Sequence, residues 1–160
     1  MSKMKIPQTP ALLALRAAGA AFSLHTYAYE EKGGTRVSSN KLGVDEHIVI
    51  KTLVMEDEKA RPLLILMHGD KEVSTKELAR TLGVKSITPC KPETARRHTG
   101  YMVGGTSPFG TKKELAVYME KTITDLPEIL INAGARGLLA KMSPAELTRI
   151  LHAREVNVAI

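Results

Sequence analysis

Two apolar runs joined by a polar turn constrain this chain most. The first is Ile48-Val49-Ile50-Lys51-Thr52-Leu53-Val54-Met55, the second Leu63-Leu64-Ile65-Leu66-Met67-His68, and residues 56–62 turn the chain between them. Short β-branched apolar runs bounded by turn residues form strands, so the pair predicts a long hairpin. One residue breaks the first run. A lysine at position 51 is expensive if it is buried and unpaired. Either Lys51 lies on an exposed face and snorkels, or it points into a polar cavity. Strand alternation groups it with Val49 and Leu53, which are not surface-like, and so favours the cavity. A cavity lysine could bind a phosphate or polarise a carbonyl.

A second constraint is the stretch Thr99-Gly100-Tyr101-Met102-Val103-Gly104-Gly105-Thr106-Ser107-Pro108-Phe109-Gly110, which holds four of the chain's twelve glycines. Read locally, it is a strand ending in paired glycines, where the missing Cβ lets something approach the backbone. Lys112 and Lys113 follow, a combination that suits an anionic or ester-bearing ligand. The same pattern also fits a tight hairpin with a bulge, in which glycine is needed only for positive φ.

The remaining elements follow from caps and periodicity. Thr9-Pro10 opens a helix that Gly19 stops. Residues 22–29 alternate, with Ser23, His25, Tyr27 and Tyr29 on a polar and aromatic face that could line a cavity. Residues 30–36 read as a loop, 37–42 as a short helix stopped by Gly43, and 76–82 as a helix capped by Ser74 or Thr75 and ended by Gly83. Residues 92–98 form a basic helix carrying Arg96 and Arg97. Strands are expected at 86–88, 115–119, 129–132 and 138–142, with a turn at 133–137. Ser143-Pro144-Ala145-Glu146 reads as a capping box for the last helix, and residues 155–160 as a strand or tail. About seven or eight strands and four or five helices without strict βαβ alternation predict an α+β, single mixed-sheet domain over 1–160.

Composition narrows function mainly by exclusion. A single cysteine, Cys90, forbids an internal disulfide and fits a reducing, cytoplasmic setting. It is a weak nucleophile candidate without an assigned base, although Lys91 beside it could lower its pKa. No apolar run is long enough to span a membrane, and residues 11–21 read as an amphipathic helix instead of a signal peptide. The five histidines are scattered, with no metal-ligand spacing, so neither a metal nor a cofactor is expected. A net charge of +6 is compatible with a polyanionic partner, although a solvated lysine-rich surface is its commoner cause.

Lys51-Thr52-Leu53, taken with Thr99-Gly100-Tyr101-x-Val103-Gly104-Gly105-x-Ser107-Pro108-x-Gly110-x-Lys112-Lys113, resembles the YbaK/EbsC family, relatives of the editing domain inserted in bacterial prolyl-tRNA synthetases. Thr9-Pro10-Ala11, His25-Thr26-Tyr27, Lys41-Leu42-Gly43-Val44 and Asn132-Ala133-Gly134-Ala135-Arg136-Gly137-Leu138 agree, and the resemblance covers nearly the whole chain. It implies a twisted pseudo-barrel sheet of about seven strands with flanking helices. It also implies an editing deacylase acting on the acceptor end of mischarged tRNA, with prolyl-tRNA synthetase as a possible partner and neither DNA nor membrane involved. In the cysteine-specific branch the substrate's own thiol attacks its ester, so positioning and electrostatics replace a catalytic triad.

Carried over residue by residue, the resemblance makes Lys51, Gly104 and Gly105 the catalytic set, with Lys51 on the terminal adenosine phosphate or the substrate carbonyl and the glycine amides facing the ester. Tyr27, Gly34, Thr35, Asn132, Gly134 and Arg136 are expected at the substrate, and Arg96, Arg97, Lys112 and Lys113 at the tRNA. The chain departs from the family pattern in two places. The usual aromatic-Gly-x-Glu-Ala-Ala helix start is Gly34-Thr35-Arg36-Val37-Ser38-Ser39, and the Ser-Gly-Gly turn is Asn132-Ala133-Gly134. Both touch the expected amino-acid pocket, where Asn132 could narrow the space or meet the ammonium group. They leave the reaction class intact, with cysteine on tRNA for proline as the first expectation and alanine or serine as alternatives. A non-catalytic tRNA-binding module is a further reading, weakened by the scarcity of stacking aromatics.

Overall fold

The computed structural model describes residues 6–160; residues 1–5 of the domain expected over 1–160 lie outside the described residues. The predicted hairpin is the centre of the fold. Strands β2 (Val49–Asp57) and β3 (Pro62–His68) pair antiparallel from Ile50↔His68 to Glu56↔Pro62. On β3 follow β5 (Ala116–Glu120) and β8 (Arg154–Val156), both in parallel pairings. On the other edge of β2 lie β6 (Ile129–Ala135), β7 (Leu138–Met142) and β1 (Phe22–Thr26), giving the order β1-β7-β6-β2-β3-β5-β8, with β4 (Ile87–Pro89) pairing β2 off this path.

Alternation explains why the hairpin reads as a continuous apolar run. Ile50, Val54, Leu64, Leu66, Ile129, Ile131, Leu138 and Ala140 face one way. There they pack under helices α1 (Pro10–Ala17) and α5 (Ala145–Leu151), through Leu12, Leu15 and Leu147. Leu63, Ile65, Met67 and Met55 face the opposite way, under α3 (Thr75–Leu82). Val49, Leu130 and Leu139 face α2 (Gly34–Leu42) on that same side. With both faces covered, polar alternation has no place to appear. Helix α4 (Pro92–Thr99) leads from β4 into the glycine stretch.

The caps follow sequence chemistry. Thr9 accepts the Leu12 N–H and donates its hydroxyl to the Ala133 carbonyl at 2.6 Å, tying α1 to β6. Ser74 accepts the Glu77 N–H at 3.2 Å, and Gly83 ends α3 with a left-handed φ of 71°.

Four local expectations are corrected. Strand β1 stops at Thr26 instead of running to Tyr29 because its partner runs out: the Tyr27 N–H makes the last pairing, to the Gly137 carbonyl, and Gly137, at a φ of 78°, turns the chain just before β7. Helix α2 begins at Gly34, inside the expected loop. No side chain caps it; instead the Thr35 hydroxyl bonds to Glu46 at 2.7 Å, a tertiary anchor that local sequence does not reveal. Strand β6 runs on through Ala135, with a register irregularity between Asn132 and Ala135 where a turn was expected. The capping box does not close: Glu146 takes the Ala21 N–H at 3.2 Å and the Arg149 guanidinium at 2.8 Å, a charge-assisted alternative to its own helix end.

Candidate functional site

The stretch from Thr99 to Gly110 is neither strand nor hairpin; after α4 it is turns and bends. It is nonetheless firmly tied. The Tyr101 hydroxyl donates to the Phe109 carbonyl at 2.6 Å, Ser107 accepts the Phe109 N–H, and Tyr101, Ser107 and Phe109 are buried. The glycines are required by close approach. Gly104 has a φ of 85°, and a Cβ there would lie 2.5 Å from the Tyr29 hydroxyl. A Cβ on Gly105 would stand 3.0 Å from the Arg136 amide nitrogen.

This loop forms one wall of a cleft of about 1000 Å³. The floor is a gap in the sheet. Strand β6 pairs β2 only at Val49 and Ile50, and β4 pairs it only from Met55 to Asp57. Between them the outer edge of β2 has no neighbouring strand. Its hydrogen-bonding phase follows from its ends: Gly69 N–H donates to the Val49 carbonyl, and Asp57 N–H to that of Arg61. Residues at odd positions therefore bond towards β3, and Thr52 turns both its N–H and its C=O to the open edge. The Cys90 N–H, donated to the Val54 carbonyl at 3.0 Å, closes the next position along.

Lys51 enters the cleft from this strand, between Val49 and Leu53, where the apolar cover of that sheet face is interrupted. Its side chain is 19% exposed and its Nζ stands 3.5 Å from the carboxylate of Glu72, itself 79% exposed. A pair so long, with so exposed a partner, is one that an incoming anion can displace. Cys90 also lines the cleft, but burial, reinforced by Glu56, pushes its thiol up to about 11. It is a neutral wall, not a nucleophile.

The opposite wall carries Tyr27, Gly34, Thr35, Asn132 and Arg136, with Arg96 at the α4 side. Their side chains are largely committed. Thr35 is bonded to Glu46 and the Gly69 carbonyl. Burial first, then neighbouring Tyr29, raises the Tyr27 phenol above its ordinary value. Asn132 Nδ2 donates to the carbonyls of Gly104 at 3.2 Å and Ala135 at 3.1 Å, while its Oδ1 accepts the Gly134 N–H at 2.7 Å. Arg136 Nε donates to the Val103 carbonyl at 2.9 Å, and its guanidinium lies 4.9 Å from the centre of the Tyr29 ring. Asn132, Arg136 and Tyr29 thus fasten the glycine loop to β6.

Other expected residues stand apart from the cleft lining. The Gly105 N–H is already spent on the Met102 carbonyl at 2.9 Å, so it is not free to face an ester. Gly134, at a φ of 98°, packs against Tyr101 and Thr9. Arg97, Lys112 and Lys113 form an exposed basic corner, because the Lys112 and Lys113 amides bond back to the carbonyls of Thr99 and His98. The sequence reading missed Thr52, Glu72 and the fastening role of Tyr29. For Tyr29 the signal existed in the alternation of residues 22–29; for Glu72 there was none.

Among the described residues, no group of three or more His, Cys, Asp and Glu could hold a metal ion, and no helix is long and apolar enough to cross a membrane.

Comparison with known proteins brings the site into a family context. A model of the aminoacyl-tRNA editing domain matches residues 34–150. The chain is 27% identical over 120 residues to an Enterococcus faecalis protein provisionally named Cys-tRNA(Pro)/Cys-tRNA(Cys) deacylase EbsC, covering 75% of this chain and 73% of that one. It is 37% identical over 82 residues to the proline–tRNA ligase of Thermodesulfovibrio yellowstonii, covering 51% of this chain and 14% of that longer protein. Among solved structures, a candidate trans-editing enzyme for prolyl-tRNA synthetase superposes with a TM-score of 0.84 at 21% identity over 97% of this chain and 99% of the other. The hypothetical protein APE2540 does so with a TM-score of 0.86 at 20% identity, over 94% and 99%. At these identities the two structures establish a shared fold.

Proposed function

The chain belongs to the aminoacyl-tRNA editing domain family, and we propose from this that it releases cysteine from mischarged Cys-tRNA(Pro), the substrate's own thiol supplying the nucleophile. One observation carries the reading: the cleft presents a displaceable cation, Lys51, beside a loop whose backbone is held open by glycine, while its one thiol is kept neutral. None of the five histidines lines the cleft. His25 bonds to Ser23, His47 to Asp70, His68 to Thr122 and His98 to Lys113, and His152 lies at the end of α5.

The chemistry then falls to positioning. The cysteinyl sulfur attacks the ester carbonyl carbon, the C–S bond forms, the bond to the ribose oxygen breaks, and the thiol proton ends on that oxygen. The products are a cyclic thiolactone and uncharged tRNA. Lys51 neutralises charge on the carbonyl oxygen or on the terminal phosphate. The Gly104 amide, without a hydrogen-bond partner among the described residues, is the backbone donor nearest in kind to what a developing oxyanion needs. The name of the Enterococcus faecalis relative supports cysteine as the amino acid, and the matches to proline–tRNA ligases support prolyl-tRNA synthetase as the source of the mischarged substrate. The exposed corner of Arg97, Lys112 and Lys113 would take tRNA phosphates.

The test is release of amino acid from Cys-, Ala- and Ser-charged tRNA. Cys-tRNA(Pro) should be cleared, and Lys51→Ala should slow clearance by about a hundredfold, the scale of losing one transition-state donor. Clearance of Ala-tRNA with Cys-tRNA untouched would overturn the thiol mechanism.

A further inference from the structure

Resting on the reading of the cleft as an aminoacyl-ester site, we propose that the open edge of β2 at Thr52 seats the terminal adenine base of that ester. Two observations converge there. First, Thr52 presents an N–H and a C=O side by side to the gap between β6 and β4, with no strand opposite. Unpaired backbone groups of this kind are a standing demand for a partner. Second, a cleft of about 1000 Å³ is far larger than an aminoacyl group needs. It has room for the nucleoside to which that group is esterified.

The chemistry of the edge selects the occupant. An adenine ring carries an acceptor nitrogen next to an amino donor, the complement of one extended residue's N–H and C=O. The ester of an aminoacyl-tRNA lies on the ribose of the terminal adenosine, so the base must lie in the same cleft as the carbonyl, one ribose away. Leu53, Val54, Cys90 and Ala95 line the cleft around Thr52 and offer apolar surface to the ring faces. Lys51, the preceding residue, points its ammonium to the opposite side of the strand, towards Glu72. The ester and phosphate would thus meet the cation while the base meets the strand edge. The Thr52 hydroxyl is buried away from the cleft, on the strand face shared with Ile50 and Val54, so the backbone N–H and C=O are the groups that pair with the base.

The test uses the whole chain, labelled with nitrogen-15 and titrated with adenosine 5′-monophosphate, its N6,N6-dimethyl analogue and purine riboside 5′-monophosphate. The Thr52 amide should move with the first ligand, and both analogues should bind about tenfold more weakly, the scale of a lost hydrogen-bond pair. Thr52→Val, which keeps the backbone edge, should preserve the order of the three ligands; loss of that order in the folded variant would overturn the backbone pairing. Equal binding of the three ligands, or a Thr52 amide that does not move, overturns the proposal. Amino-acid release measured on the same sample separates the two ideas. Release without base preference removes this inference alone, whereas base preference without release leaves it standing and removes the deacylase reading.

Discussion

Asn132 stands where the family pattern has serine, and its side chain decides between selection and support. If it selected the amino acid, Asn132→Ser would change which aminoacyl ester is cleared. The structure predicts otherwise. Both Nδ2 hydrogens go to carbonyls, those of Gly104 and Ala135, and Oδ1 takes the Gly134 N–H. Serine can keep a turn with Gly134, more weakly, but cannot span to Gly104. The variant therefore loses two neutral, partly exposed hydrogen bonds, each worth about 0.5–1.5 kcal/mol, with the exposed one at the low end. A total of about 1–2 kcal/mol lowers Tm by roughly 2–8 °C for a chain of this size. The loss is local to the glycine loop, so exchange of the Gly105 amide, bonded to the Met102 carbonyl, should quicken by about 5- to 30-fold. Release should slow for every amino acid alike. Thermal melts, hydrogen exchange and the charged-tRNA panel read the three effects. An unchanged Tm together with a changed amino-acid preference would refute the clamp and restore Asn132 as a selecting residue.

Three further outcomes are expected. His68 is buried with its ring 3.8 Å from that of His47, and burial lowers its pKa; Asp70, Glu120 and the Thr122 hydroxyl are the other groups facing it. The unfolded chain then binds the extra proton first, so stability is full above about pH 6.5 and falls as pH drops towards the folded value, by at most about 1.4 kcal/mol per pH unit. Urea melts of His68→Gln should show a flatter pH dependence; an unchanged slope would place the effect elsewhere. Cys90→Ala should not abolish release, since only apolar wall is lost, and the wild-type thiol should react slowly with alkylating reagents at neutral pH, because it is protonated there. Rapid labelling would contradict its place as a neutral wall. Gly134→Ala should destabilise by about 2–4 kcal/mol in chemical denaturation, since its φ of 98° is unfavourable for alanine and the new Cβ would meet the Tyr101 ring at 2.9 Å.

How much was legible in the sequence can be argued from particular residues. Helix ends were readable because their signals are local: Thr9, Ser74, Gly43 and Gly83 act within one turn of themselves. The hairpin was readable because both of its strands are mostly apolar, and Lys51 was conspicuous because charge inside such a run has few physical solutions. The glycine stretch was misread as strand or hairpin because its conformation is imposed from outside. Pro10, Tyr29 and Arg136 approach its backbone from three distant parts of the chain.

By itself, then, the sequence determined the class of fold, the central hairpin and the presence of an awkward cation on it, since alternation, capping and burial cost act between near neighbours. Only the tertiary structure decided what surrounds that cation. The gap between β6 and β4, the open edge at Thr52 and the binding of the glycine loop to Asn132 depend on which strands stop where. Stopping points of that kind are set by contacts between residues far apart in the chain, and no local pattern encodes them.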